Sequence, residues 1–76
     1  MGEKEFYTTI GRKISELRQS SGVTQSELAQ KIGVSQGFIG SIEKGDKLSL
    51  SRLQQILDIL GYEFNFQEKK TSLMSA

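Results

Sequence analysis

At 76 residues the chain has room for one domain with a small core, and its formal net charge of +1 gives only modest non-specific attraction to nucleic acid. The absence of cysteine and histidine excludes a disulfide framework, a thiolate metal site and the usual general base. Apolar runs are only a few residues long and nothing resembles a signal peptide, so a soluble cytoplasmic protein is expected, with no membrane partner.

Residues 1–7 are polar and mixed and read as a loose tail. Thr8 or Thr9 can cap a first helix in which Ile10, Ile14 and Leu17 recur at i, i+4, i+7, with Arg12, Lys13 and Arg18 around it and Gly22 as its stop. Thr24 can open a second helix through a capping box with Glu27, and Leu28, Ala29 and Ile32 give it one apolar face. Gly33 ends that helix where a left-handed backbone is needed. Ser35 caps a third helix whose buried positions are Ile39 and Ile42, and Gly45 closes it. So short a connection predicts a steep crossing, as in a helix-turn-helix. Gln36, Gly37, Phe38, Gly40, Ser41 and Lys44 are then left pointing outward.

After a loop at 46–48, Ser49 or Ser51 caps a fourth helix with Leu53, Ile56, Leu57 and Leu60 as its apolar stripe and Gly61 at its end. The expected core is Ile14, Leu17, Leu28, Ala29, Ile32, Val34, Ile39, Ile42, Leu53, Ile56, Leu57 and Leu60. From Tyr62 to Gln67 the period changes to strict alternation, with Tyr62, Phe64 and Phe66 on one face. A lone strand must find a partner edge, and no second strand candidate exists. The simplest partner is the same strand of another copy across a two-fold axis, which makes these aromatics dimerisation residues. The other reading is an extended tail whose aromatics pack on the fourth helix. The expected layout is a tail at 1–7, a helix-turn-helix domain at 8–61, a dimerisation strand at 62–67 and a flexible tail at 68–76.

The run TQSELAQKIGVSQ from Thr24 to Gln36, followed by Ile39, Ile42, Glu43, Lys44 and Gly45 in an IxxIEKG pattern, resembles the Cro/CI-type (XRE) helix-turn-helix family over about Ile10 to Gly61. The resemblance implies an all-α, four-helix lambda-repressor-like domain and a sequence-specific repressor bound to a palindromic double-stranded operator. The strand-like ending is similar to HipB-like antitoxins, in which two C-terminal strands form a small sheet in the dimer. That implies an autoregulating homodimeric antitoxin with a HipA-like kinase toxin as partner. A stand-alone phage-type repressor, a restriction–modification controller and a protein-interaction module on the same fold stay open. No nucleophile–base pair, metal cluster or phosphate-binding glycine loop is present, so neither an enzyme nor a cofactor is expected, and Asp58 and Glu63 are isolated carboxylates.

Recognition of DNA separates into contacts that position and contacts that specify. Gln25 and Ser35, each at a helix start, can bond phosphates, and the family resemblance gives Gln25 that anchoring role. Lys44 and Lys47 can add charge at the flanking phosphates. Gln36 can make the paired amide contact to adenine, and Phe38 can touch a thymine methyl or fold back as core over the start of the second helix. Ser41 can serve a base or a phosphate. Gly37 and Gly40 depart from the usual pattern, since a glycine inside a helix costs about 1 kcal/mol relative to alanine. They shift readout toward DNA shape, or they permit close backbone approach to DNA or a protein. The resemblance makes Arg18 and Glu43 a structural ion pair joining the first helix to the third.

Overall fold

Four helices follow from local start and stop signals: α1 (Glu3–Ser20), α2 (Gln25–Ile32), α3 (Gln36–Glu43) and α4 (Leu50–Leu60). They come from a computed structural model that describes residues 2–65 and 67. Thr24, Ser35 and Ser49 cap α2, α3 and α4, their hydroxyls accepting from the backbone N–H of Glu27, Phe38 and Arg52. Each hydroxyl satisfies one of the donors that a helix start leaves unpaired. At the C-terminal end of α2, Gly33 takes φ 74°, and the Val34 N–H reaches back to the Ala29 carbonyl at 2.9 Å. That left-handed step is open to glycine at no steric cost and turns the chain sharply into α3.

The start of α1 corrects the expected tail at 1–7. The helix begins at Glu3, its N-cap is Gly2 without a side-chain cap, and the Thr9 hydroxyl donates to the Glu5 carbonyl at 2.9 Å instead of capping. Glu3 and Glu5 lie in the first turn, where carboxylates complement the positive end of the helix dipole. Glu3 also pairs with Lys47 at 2.9 Å, and Thr8 packs against Gly45. These contacts tie the first turns of α1 to the loop after α3.

α1 and α2 each pack on both α3 and α4. Ile14, Leu28, Ile39, Ile42 and Ile56 are fully buried, with Ala29, Leu53, Leu57 and Leu60 completing the core. Leu17, Ile32 and Val34, expected inside, are only partly buried at its edge, joined there by Ile10, Val23 and Leu48. A chain this short has too little interior to cover them. Where α1 crosses α3 the backbones approach so closely that a Cβ on Gly11 would collide with the Ile42 carbonyl oxygen and the Glu43 backbone.

The same crossing carries a partly buried polar contact. Arg18 Nε donates to Glu43 Oε2 at 2.6 Å, Nη2 to Oε1 at 3.1 Å, and Nη1 to the Val23 carbonyl at 2.9 Å. The two side chains are only 12% and 7% exposed. Burial pushes the Glu43 carboxyl up, but hydrogen bonds from Arg18 and Gln25, and the Arg18 charge, outweigh it and hold the group below its ordinary value.

Beyond Gly61 no strand is present among the described residues. Tyr62 and Phe64 lie at the surface and line, with Ile10, Leu53 and Leu57, a groove of about 360 Å³ between α1 and α4. In the single chain these aromatics therefore face the chain's own helices, while pairing across a two-fold axis requires a second copy. Phe66 and the tail at 68–76 lie outside the described residues.

Two outcomes are expected. Gly11→Ala should destabilise the fold by about 1–3 kcal/mol, read as a lowered denaturation midpoint, because α1 and α3 must move apart. Glu43 has a depressed folded pKa, so its contribution is present above the unfolded carboxylate value of 4.5 and is lost as pH falls through the folded one. Glu43→Gln should therefore melt lower than the wild type at neutral pH, with the gap narrowing below about pH 4.5. A gap independent of pH would show that the charge of Glu43 contributes nothing.

Candidate nucleic-acid interface

The segment from Thr24 to Lys44 presents one helix on the back of another. The capping box is formed in both directions: Glu27 N–H donates to Thr24 Oγ1 at 3.0 Å, and Thr24 N–H to Glu27 Oε1 at 2.9 Å. The Thr24 N–H, with its hydroxyl, holds the Glu27 carboxyl below its ordinary value. Ile39 and Ile42 anchor the inner side of α3. Gln36, Gly37, Phe38, Ser41 and Lys44 are exposed on its outer side, and Gly40 is half-buried beside the Gln25 side chain.

A polar chain runs outward from this partly buried ion pair. Glu43 Oε1 accepts from Gln25 Nε2 at 3.0 Å, and Gln25 Oε1 lies 3.4 Å from Gln36 Nε2. An ionised carboxylate only accepts, so Gln25 turns its NH₂ toward Glu43 and its oxygen toward Gln36. Gln36 in turn points its NH₂ at Gln25 and keeps its own oxygen and a second N–H for an outside partner. Gln25, at the start of α2, and Gln36, at the start of α3, thus share one surface.

The other residues named from the sequence are arranged less simply. The Ser35 oxygen accepts from Phe38 N–H at 3.1 Å, leaving its own O–H free to donate. Phe38 is 38% exposed and lies outside the core; the Arg52 guanidinium of α4 lies 5.5 Å from its ring centre. Lys44 is exposed. Lys47 is bonded to the Glu3 carboxylate, which raises its pKa above the ordinary lysine value. A phosphate reaching Lys47 therefore competes with Glu3. Both partners are largely solvated, so the competition is weak.

Packing does not explain the two glycines of α3. A Cβ at Gly37 would meet only the Ser35 hydroxyl at 3.9 Å, and one at Gly40 only the Gln25 amide at 3.8 and 4.0 Å. Alanine fits at both, and neither has positive φ. Sequence reasoning passed over Gly11, Glu3 and Arg52. Gly11 had a signal, a glycine on the apolar side of a helix three residues before Ile14. Arg52 had none, because its contact with Phe38 joins two helices.

No group of three or more acidic side chains among the described residues is placed to hold a metal, and no helix there is long and apolar enough to cross a membrane.

The helix-turn-helix family model matches residues 14–67. An HTH-type transcriptional regulator of Acanthamoeba polyphaga mimivirus is 33% identical over 67 residues, covering 88% of this chain, which spans only 30% of that protein's length. The HTH-type transcriptional regulator YazB of Bacillus subtilis is 37% identical over 51 residues, 66% of this chain and 74% of that protein. Antitoxin HipB of Escherichia coli is 35% identical over 66 residues, 86% of this chain and 70% of that protein. The capped α2–turn–α3 unit, its outward polar row and these matches together place the chain in the Cro/CI-type (XRE) family of DNA-binding helix-turn-helix regulators.

Proposed function

We propose that this protein is a dimeric transcriptional repressor that sets α3 of each copy into the major groove of a palindromic operator. The observation that carries this reading is the outward row of α3, with Gln36 backed by Gln25 and anchored through Glu43 to Arg18. Such a row offers amide and hydroxyl groups to base edges, while the apolar side stays in the core. Gln36, Phe38 and Ser41 read bases. Gln25, Ser35, Lys44 and Lys47 bond phosphates. Gly37 and Gly40, which the fold does not need, let the α3 backbone approach the DNA closely.

Dimerisation is carried by the alternating segment from Tyr62 to Gln67, which pairs with its copy and places the two recognition helices roughly 34–36 Å apart, one turn of the duplex. Thirty-five per cent identity to antitoxin HipB over 86% of the chain supports autoregulation as an antitoxin with a HipA-like kinase toxin as its second partner. The similarity to two HTH-type regulators supports the alternative, a stand-alone repressor. A kinase-like reading frame beside the gene would favour the first, and its absence the second.

Affinity for a selected operator and its single-base variants, at several salt concentrations, tests the base-reading assignment. Gln36→Ala should lose about 1–3 kcal/mol and relax preference at one position per half-site. Lys47→Ala should weaken all sequences alike and flatten the salt dependence by about one unit of slope. An equal, sequence-independent loss in both variants would reduce Gln36 to a phosphate contact. A chain ending at Gly61 should sediment as a monomer and lose operator affinity steeply, because each half-site alone offers few contacts. A dimer that persists without residues 62–76 would move the interface elsewhere.

A further inference from the structure

Phe38 is the large apolar side chain on the exposed face of α3, and nothing in the core holds it there. What it touches is Arg52, in the first turn of α4, whose guanidinium lies over the ring at 5.5 Å from its centre. That guanidinium also bonds within its own helix, Nη1 donating to Gln55 Oε1 at 3.0 Å across one turn. α4 is in turn seated by Ser49, whose hydroxyl caps the Arg52 N–H at 3.2 Å. A cation over an aromatic face is attracted by the ring quadrupole and restricts where the ring can go.

We infer that Arg52 is a positioning residue for base recognition: it holds the Phe38 ring on the groove side of α3, where the ring's remaining surface meets a thymine methyl. The inference rests on the reading of α3 as the recognition helix and assigns a role to a residue outside it. The first turn of α4 carries no acidic residue, so the Arg52 charge can also serve a neighbouring phosphate. A phosphate role alone makes a different prediction. It lowers affinity for every sequence equally, whereas a positioning role changes the preference for the methyl group.

Replacing thymine with uracil removes that methyl and nothing else. Duplexes selected from random DNA would be remade with uracil at one thymine at a time, and affinities measured for the full-length wild type, Phe38→Ala and Arg52→Gln. The wild type should lose roughly threefold to fivefold in affinity at one thymine per half-site, the worth of one buried methyl group. Phe38→Ala should abolish that loss. Arg52→Gln, which removes the guanidinium and its charge but keeps a polar side chain, should reduce it to under twofold while thermal melting shows a folded domain.

A thymine preference that depends on Phe38 but survives Arg52→Gln unchanged would overturn the inference and leave the recognition helix intact. Operator binding with no thymine preference at all would overturn it too, by removing the contact Arg52 is said to position. Failure to select any duplex would instead sink the DNA-binding reading on which it rests. Should Arg52→Gln not fold, the contact is read in the unaltered protein bound to DNA. Proton NOEs between the Arg52 Hδ and Phe38 ring atoms are expected, and their absence would overturn the inference.

Discussion

The contact on which the geometry of this domain depends is the fork between Arg18 and Glu43. Taking two charges largely out of water is costly, and a buried pair offsets that cost only when its geometry is good and its remaining polar groups are bonded. Here both conditions hold: Arg18 meets both carboxylate oxygens and the Val23 carbonyl, and Glu43 also accepts from Gln25. One contact therefore ties the end of α1, the end of α3, the residue leading into α2 and the first residue of α2. The collision that a Cβ on Gly11 would make with the Ile42 carbonyl shows how near α1 and α3 must come for the fork to close.

The domain has two unlike faces. On one, a polar row along α3 is continuous with Gln25 and, through it, with the Arg18–Glu43 ion pair. On the other, Ile10, Leu53 and Leu57 line a shallow apolar groove with Tyr62 and Phe64 at its rim. The cations near α3 do not build a broad positive field. Lys47 is paired with Glu3 and Arg52 lies on Phe38, in keeping with a chain of formal charge +1. A regulator with so weak a field must draw more of its affinity from matched contacts.

Much of this was legible in the chain itself because helix ends obey local rules. Thr24 with Glu27, Ser35, Ser49 and Gly33 mark boundaries through hydrogen bonds to residues within a few positions, and these need no knowledge of the rest of the fold. The apolar stripes located the core, though Leu17, Ile32 and Val34 sit at its edge. What escaped was decided across the fold. The first turns of α1 look like a polar tail until Glu3 meets Lys47 and Thr8 meets Gly45. The surroundings of Phe38 depend on Arg52 of another helix. Alternation from Tyr62 to Gln67 is a strand pattern that names no partner edge, and the described residues of that segment form no strand.

The central claim is that the outer side of α3, together with Gln25, is the surface that meets DNA. Titrating ¹⁵N-labelled protein with a selected operator duplex and following every amide resonance tests it directly. The largest perturbations are expected at Gln25, at residues 35–41 and at Lys44 and Lys47, with little change at Ile10, Leu53 and Leu57. Perturbations centred on the α1–α4 groove, with α3 unmoved, would contradict it.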